Sequence, residues 1–218
     1  MIHARTRSLG LALLLMLLCG TASAGEGDRW SLSDRAALAS AFQDAALPQP
    51  AGSYDRFVEV AFSDDTFELG YRQLTIRRRD YYGIDALVND EGDFLLSARL
   101  VRQGQVVGEP LRLGVGVGAY GVWIDDPNES VYAVALIGTA EYDLHAAYPT
   151  TVAAALAVAP RIATFDDGED LFELELRVNV DLSEVASVYV GLRALEVETE
   201  TDEYDVDQGL HVGIRLAL

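Results

Sequence analysis

The stretch Gly-Leu-His-Val-Gly-Ile-Arg-Leu-Ala-Leu, residues 209–218, decides how the chain is read. Leu210, Val212, Ile214, Leu216 and Leu218 fall on one side of a period-two repeat, and His211, Gly213, Arg215 and Ala217 fall on the other. Strict alternation describes a strand with one apolar and one polar or small face. At the other end of the sequence, Arg5 and Arg7 precede an apolar run over residues 9–18, followed by Ala22-Ser23-Ala24. That is the order of a secretory leader, with cleavage expected after Ala24. An exported chain carrying such a strand predicts a transmembrane β-strand, its apolar side in lipid and its polar side in a barrel lumen.

The leader's apolar run is too short to span a bilayer as a helix. Cys19 follows Leu18, where a lipid-attachment site needs a small residue, so a lipoprotein is disfavoured. Past Ala24 there is no cysteine, which removes disulfide and thiol chemistry. The 16 basic residues are all Arg and stand against 35 Asp and Glu, a formal net charge of −19. That sign speaks against a nucleic-acid partner.

After the leader (residues 1–24), residues 25–55 read as a helical extension and linker, and residues 56–218 as one antiparallel transmembrane β-barrel, an all-β fold. The helical stretch, 30–47, has Ser31 as cap with Asp34 three residues on, an apolar stripe of Leu38, Phe42 and Ala45 or Ala46, and Pro48 as stop. Ten strand-like segments follow: 56–62, 66–76, 82–88, 94–102, 111–124, 131–144, 151–162, 171–182, 187–197 and 209–218. Several reach the roughly 9–11 residues that a tilted strand needs to cross a bilayer. The tail resembles the C-terminal insertion signal of bacterial outer-membrane barrels, except that it ends in Leu218 where an aromatic residue is usual.

An even-stranded bacterial barrel keeps both termini in the periplasm. Counting back from Leu218, the outer connections are 63–65, 89–93, 125–130, 163–170 and 198–208. All five are acidic and none contains Arg; the last, with Glu198, Glu200, Asp202, Glu203, Asp205 and Asp207, is expected to be the longest. The inner connections carry Arg77, Arg78 and Arg79. Divalent cations bridging the acidic loops to lipopolysaccharide phosphates are an expected interaction.

The segments Ser187-Val-Tyr-Val-Gly-Leu-Arg193 and Gly209-Leu-His-Val-Gly-Ile-Arg215, with Gly114, Gly116 and Gly118, resemble the YfaZ family of putative outer-membrane proteins over residues 57–218. The resemblance implies an outer-membrane barrel without a well-established activity. Outer-membrane lipid, lipopolysaccharide and the barrel assembly machinery then become the expected partners. No catalytic, cofactor-binding or metal-binding residue comes with it.

By the alternation, Glu59, Glu68, Arg72, Asp85, Arg99, Arg112, Glu141, Glu173, Glu175, Arg177, Arg193, His211 and Arg215 point inward. Buried charges need partners, so a lumen charge network is expected from Glu68, Arg72, Arg99, Arg112, Glu173, Glu175, Arg177, Arg193, His211 and Arg215. Three function classes remain: a structural barrel or passive small-solute pore; a soluble periplasmic barrel holding an apolar ligand; and a lipid-modifying enzyme, which would need His211 beside a serine such as Ser97. The soluble barrel would turn the Leu/Val faces inward and the Glu/Arg faces outward. Residues 166–170, Asp-Asp-Gly-Glu-Asp, have the oxygen density of a calcium loop without its spacing. Tyr71, Tyr82, Trp123, Tyr132 and Tyr142 sit near strand ends, as girdle aromatics do. The lumen face of strands five to seven is small (Gly114, Gly116, Gly118, Ala133, Ala135, Ala153, Ala155, Ala157), which predicts a groove; residues 32–47 either fill it as a plug or form a periplasmic or membrane-surface helix that never enters.

Overall fold

The computed structural model describes residues 55–75, 80–125, 129–144, 146, 148–199 and 203–218; the leader and the helical stretch lie outside them. Eleven strands follow one another: β1 (Arg56–Phe62), β2 (Thr66–Leu74), β3 (Asp80–Asn89), β4 (Phe94–Gln105), β5 (Leu111–Ile124), β6 (Glu129–Leu144), β7 (Thr150–Ala159), β8 (Thr164–Asp166), β9 (Gly168–Asp181), β10 (Ala186–Thr199) and β11 (Glu203–Ala217). Ten of them form a closed antiparallel ring, β11 pairing with β1 and β5 with β6, so the ring has no free edge. The short β8 pairs with Val131–Ala133 on β6, beyond the point where β7 leaves it.

The registers fix the shape of the ring. From Phe62 one route runs through Phe67, Val88, Phe94 and Trp123 to Ser130 on β6. The other runs through Val212, Val190, Val178 and Val152 to Tyr142, also on β6. The two arrivals lie twelve residues apart, Ser130 against Tyr142, and that is the stagger of the barrel. For ten strands this stagger corresponds to a strand tilt of about 40° and a backbone radius of about 10 Å.

Alternation then sorts the side chains. On β11 the five apolar residues quoted above are 48–64% exposed, whereas His211 is 2% exposed. The same holds around the ring: Ile84, Leu100, Val117, Leu136, Val190 and Leu192 point out, while Glu59, Asp85, Ser97, Glu173 and Glu175 are buried inside. The soluble reading, with Leu/Val inside, is therefore overturned. At the end away from the termini, outward aromatics pack in sequence, Phe62 on Phe67 (5.3 Å), Phe94 on Trp123 (5.5 Å) and Trp123 on Tyr132 (5.9 Å). Tyr82 and Tyr142 are exposed toward the opposite end.

Most strand boundaries shift by one to three residues from expectation, and two differences change the layout. The seventh strand stops at Ala159, because Pro160 has no N–H to give to a ladder; a single 3₁₀ turn, Arg161–Ala163, and β8 follow. The expected long loop 198–208 is mostly strand. The β10–β11 ladder continues to Glu198 opposite Glu203, with a bulge between Leu195 and Glu196 that leaves Val206 as the extra residue. The bulge turns both Val206 and Asp207 inward, each 2% exposed.

Candidate functional site

The lumen is the candidate site, and it is built in tiers. Nearest the termini, Arg112 of β5 donates to both carboxylate oxygens of Asp143 (2.8 and 2.9 Å) and to Glu141 (3.1 Å). Gln103 donates to the same Glu141 at 3.0 Å, and Thr151 to Asp143 at 3.0 Å.

The middle tier is a charge network whose hub is Glu59 on β1. Three guanidiniums converge on that carboxylate: Arg72 of β2 and Arg177 of β9, each at 3.3 Å, and Arg215 of β11. Arg177 also approaches Glu175 at 3.6 Å, and Nε2 of His211 lies 3.4 Å from the same Glu175 carboxylate. Arg99 of β4 bridges Asp85 (3.4 Å) on the adjacent strand to Glu173 (3.0 Å) on β9. The Tyr120 hydroxyl donates to that Glu173 at 2.9 Å. Arg193 of β10 joins Asp207 (3.1 Å) to Glu68 of β2. With a backbone radius near 10 Å, Arg with Glu is a combination long enough to meet across the axis at this level.

Aromatic rings hold the guanidiniums in place: Arg72 over Tyr81 (5.9 Å), Arg99 over Tyr120 (5.6 Å), Arg177 over Tyr189 (5.2 Å) and Arg215 over Phe57 (5.9 Å). Glycines seat two of the rings. Tyr189 lies over Gly213, its cross-strand partner, where a Cβ would come within 2.3 Å of the ring. His211 lies over Gly191 in the same way, at 2.6 Å. This explains the Gly-x-Arg spacing on both β10 and β11: glycine admits a neighbour's ring, and the arginine two residues on reaches the network.

The third tier, at the end away from the termini, is apolar. Leu87, Leu95, Val122, Ile124, Val131, Leu171, Leu195, Val197 and Val206 are each 0–3% exposed and pack as one cluster with Tyr120 and Ala133. Gly168 lies against Val131, where a Cβ would meet its methyl at 2.5 Å. Within the lumen a cavity of about 20 Å³ lies beside Arg72, Tyr81, Thr139 and Arg177, room for roughly one water.

The ten residues expected to form the network all face inward. Nine of them, Glu68, Arg72, Arg99, Glu173, Glu175, Arg177, Arg193, His211 and Arg215, belong to the middle tier; Arg112 forms a separate cluster nearer the termini. The expected groove along β5–β7 is covered by near neighbours: the ring of Tyr120, two residues along β5, lies over Gly118, and Arg177 and Glu175 stand opposite Ala153 and Ala155 on the adjacent β9. Residues 32–47, the expected plug, lie outside the described part of the chain. Ser97 sits 3.5 Å from Asp85 and 3.4 Å from Arg99, whereas His211 faces Glu175 and Tyr189, so the two do not form a nucleophile–base pair. In the 166–170 stretch the carboxylates serve different partners, Asp167 the amide of Ser130 and Glu169 the guanidinium of Arg161, and do not converge.

The apolar tier and the part played by Asp207, a residue of the expected loop 198–208, are not among the sequence expectations. The alternation Tyr204-Asp-Val-Asp207 was a usable signal that the strand began earlier.

No protein-family profile and no curated protein matches the chain. Among solved structures, a bacterial polysaccharide outer-membrane secretin is similar with a TM-score of 0.40 and 14% identity over 70% of this chain, which spans 56% of the secretin chain. The KdgM porin, in complex with disordered oligogalacturonate, is similar with a TM-score of 0.39 and 9% identity, over 75% of this chain and 98% of that one. Likeness at this level adds nothing to the reading, which rests on the chain's own geometry.

Proposed function

We propose that this chain is an integral outer-membrane β-barrel of structural type whose lumen is closed in the state described here. The observation that carries the reading is the inverted sorting of side chains: large apolar residues cover the outside while the charges meet inside. In water this arrangement would expose an apolar surface far beyond what soluble monomers carry. In a bilayer it is the expected distribution. The exposed apolar positions run from Leu210 on β11 to Leu218 just past its end. Eight steps of ~3.3 Å at ~40° tilt climb about 20 Å, most of the ~25 Å apolar band of such barrels.

Export by the leader, insertion by the barrel assembly machinery, kinship with the YfaZ family and cation bridges from the acidic loops to lipopolysaccharide all belong to this proposal. The ionic and apolar tiers favour a structural role over free passage of solutes, and the proposed role involves no enzymatic chemistry. Membrane fractionation tests it. Carbonate and high salt should leave the protein in the membrane pellet, and only detergent should release it as a species that runs folded unless heated. Release by carbonate alone would refute the reading.

A further inference from the structure

Arg102 is a guanidinium on the outward face of β4, 75% exposed, among the apolar side chains of the barrel exterior. Its Nε donates to Oδ1 of Asp80 at 2.8 Å, and Asp80 stands directly opposite on β3. That single bond fixes the plane of the guanidinium. It leaves the two terminal amino groups without a hydrogen bond among the described residues. Beside it, Leu100, Val115 and Val117 line a shallow apolar groove along β4 and β5, open to the outside, with Arg102 and Asp80 at its polar end. Tyr82 pairs with Leu100, one outward position closer to the barrel middle, and is itself 42% exposed. The groove thus runs from an exposed aromatic level into the apolar band, and its charge lies just outside that level, on the side of the termini.

We propose that this groove binds one glycerophospholipid of the leaflet nearest the termini, with an acyl chain over Leu100, Val115 and Val117 and the phosphodiester on the terminal amino groups of Arg102. The inference rests on the outer-membrane reading and adds a partner to it. A planar guanidinium presents paired donors that match a phosphate in two-point fashion. Asp80 engages only Nε, so it orients the fork without occupying it. It also offsets the net charge, so recognition depends on the geometry of the fork more than on a general attraction to anions. An apolar groove without Arg102 would accept acyl chains of any lipid; Arg102 makes the site a reader of the phosphate.

The test is native mass spectrometry of the full-length protein in detergent, titrated with phosphatidylglycerol and, separately, with diacylglycerol, which lacks the phosphate. Arg102→Gln should weaken phosphatidylglycerol binding on the order of fivefold, the effect of about 1 kcal/mol per guanidinium near a lipid head group. It should leave diacylglycerol binding unchanged. Arg161→Gln, which removes an exposed guanidinium at the opposite end, should change neither. Asp80→Asn should preserve or strengthen phosphatidylglycerol binding. Equal phosphatidylglycerol binding by Arg102→Gln and the parent chain would overturn the inference, as would equal losses for both lipids. A protein that stays dispersed without detergent would instead break the membrane reading, before any lipid is added.

Discussion

The middle and outer tiers of the lumen fill the same cylinder by opposite means. Around Glu59 the filling is ionic, with three guanidiniums on one carboxylate and aromatic rings beneath them. Around Leu171, Leu195 and Val122 it is a dry aliphatic core like that of a soluble protein. The difference follows from reach and from wall composition. Where the wall is glycine and alanine, as at Gly118, Ala153 and Ala155, long charged and aromatic side chains close the gap. Where Val, Leu and Ile occupy the lumen face of β3, β4, β5, β6, β9, β10 and β11, they meet without help. The ionic tier depends on every partner, because a buried charge without its counter-charge is costly, whereas an apolar tier loses only what is cut away.

The sharpest way to break that contrast is at the hub. Glu59→Leu strands three guanidiniums in the lumen and should cost about 3–5 kcal/mol, read by urea unfolding in detergent micelles. Restoring balance with a second change, Arg177→Leu, should recover part of the loss. A loss below 1 kcal/mol for Glu59→Leu would mean that the network contributes little to stability.

A change on the outside tests which face meets lipid. Leu136 on β6 is 70% exposed although apolar. Leu136→Arg should destabilise the folded protein in bilayers by about 2–4 kcal/mol, the cost of an arginine on the lipid face near the midplane. A neutral result would place that surface in water.

The smallest of the three effects is expected in the apolar tier. Leu195→Ala removes a fully buried side chain and should cost about 2–3 kcal/mol, from lost burial and the cavity left behind. Unlike the Glu59 change, it should have no partner substitution that rescues it. Rescue by an Arg or Glu variant of the middle tier would show that the two tiers are one network.

Much of this arrangement was legible in the sequence, for a physical reason. Every strand faces lumen on one side, so period two alone separates Glu59, Asp85, Arg99, Glu175 and Arg215 from the apolar positions between them. Alternation does not encode which inward residues meet across the barrel. Glu59 reads like any other inward carboxylate; its part as hub comes from the stagger, which brings β1, β2, β9 and β11 to one level. The apolar tier escaped notice because Leu171, Val197 and Val206 occupy lumen-side positions that a polar-interior rule assigns to charge. The bulge at Val206 shifts the period by one residue and hid Asp207.

Closure of the barrel by its own side chains is best checked by recording the refolded full-length chain in a planar bilayer beside its Glu59→Gln variant. The parent chain should be silent. Glu59→Gln should show intermittent, anion-preferring openings, because Arg72, Arg177 and Arg215 then repel one another across the lumen. A steady open-channel current from the parent chain, unaltered by Glu59→Gln, would contradict it.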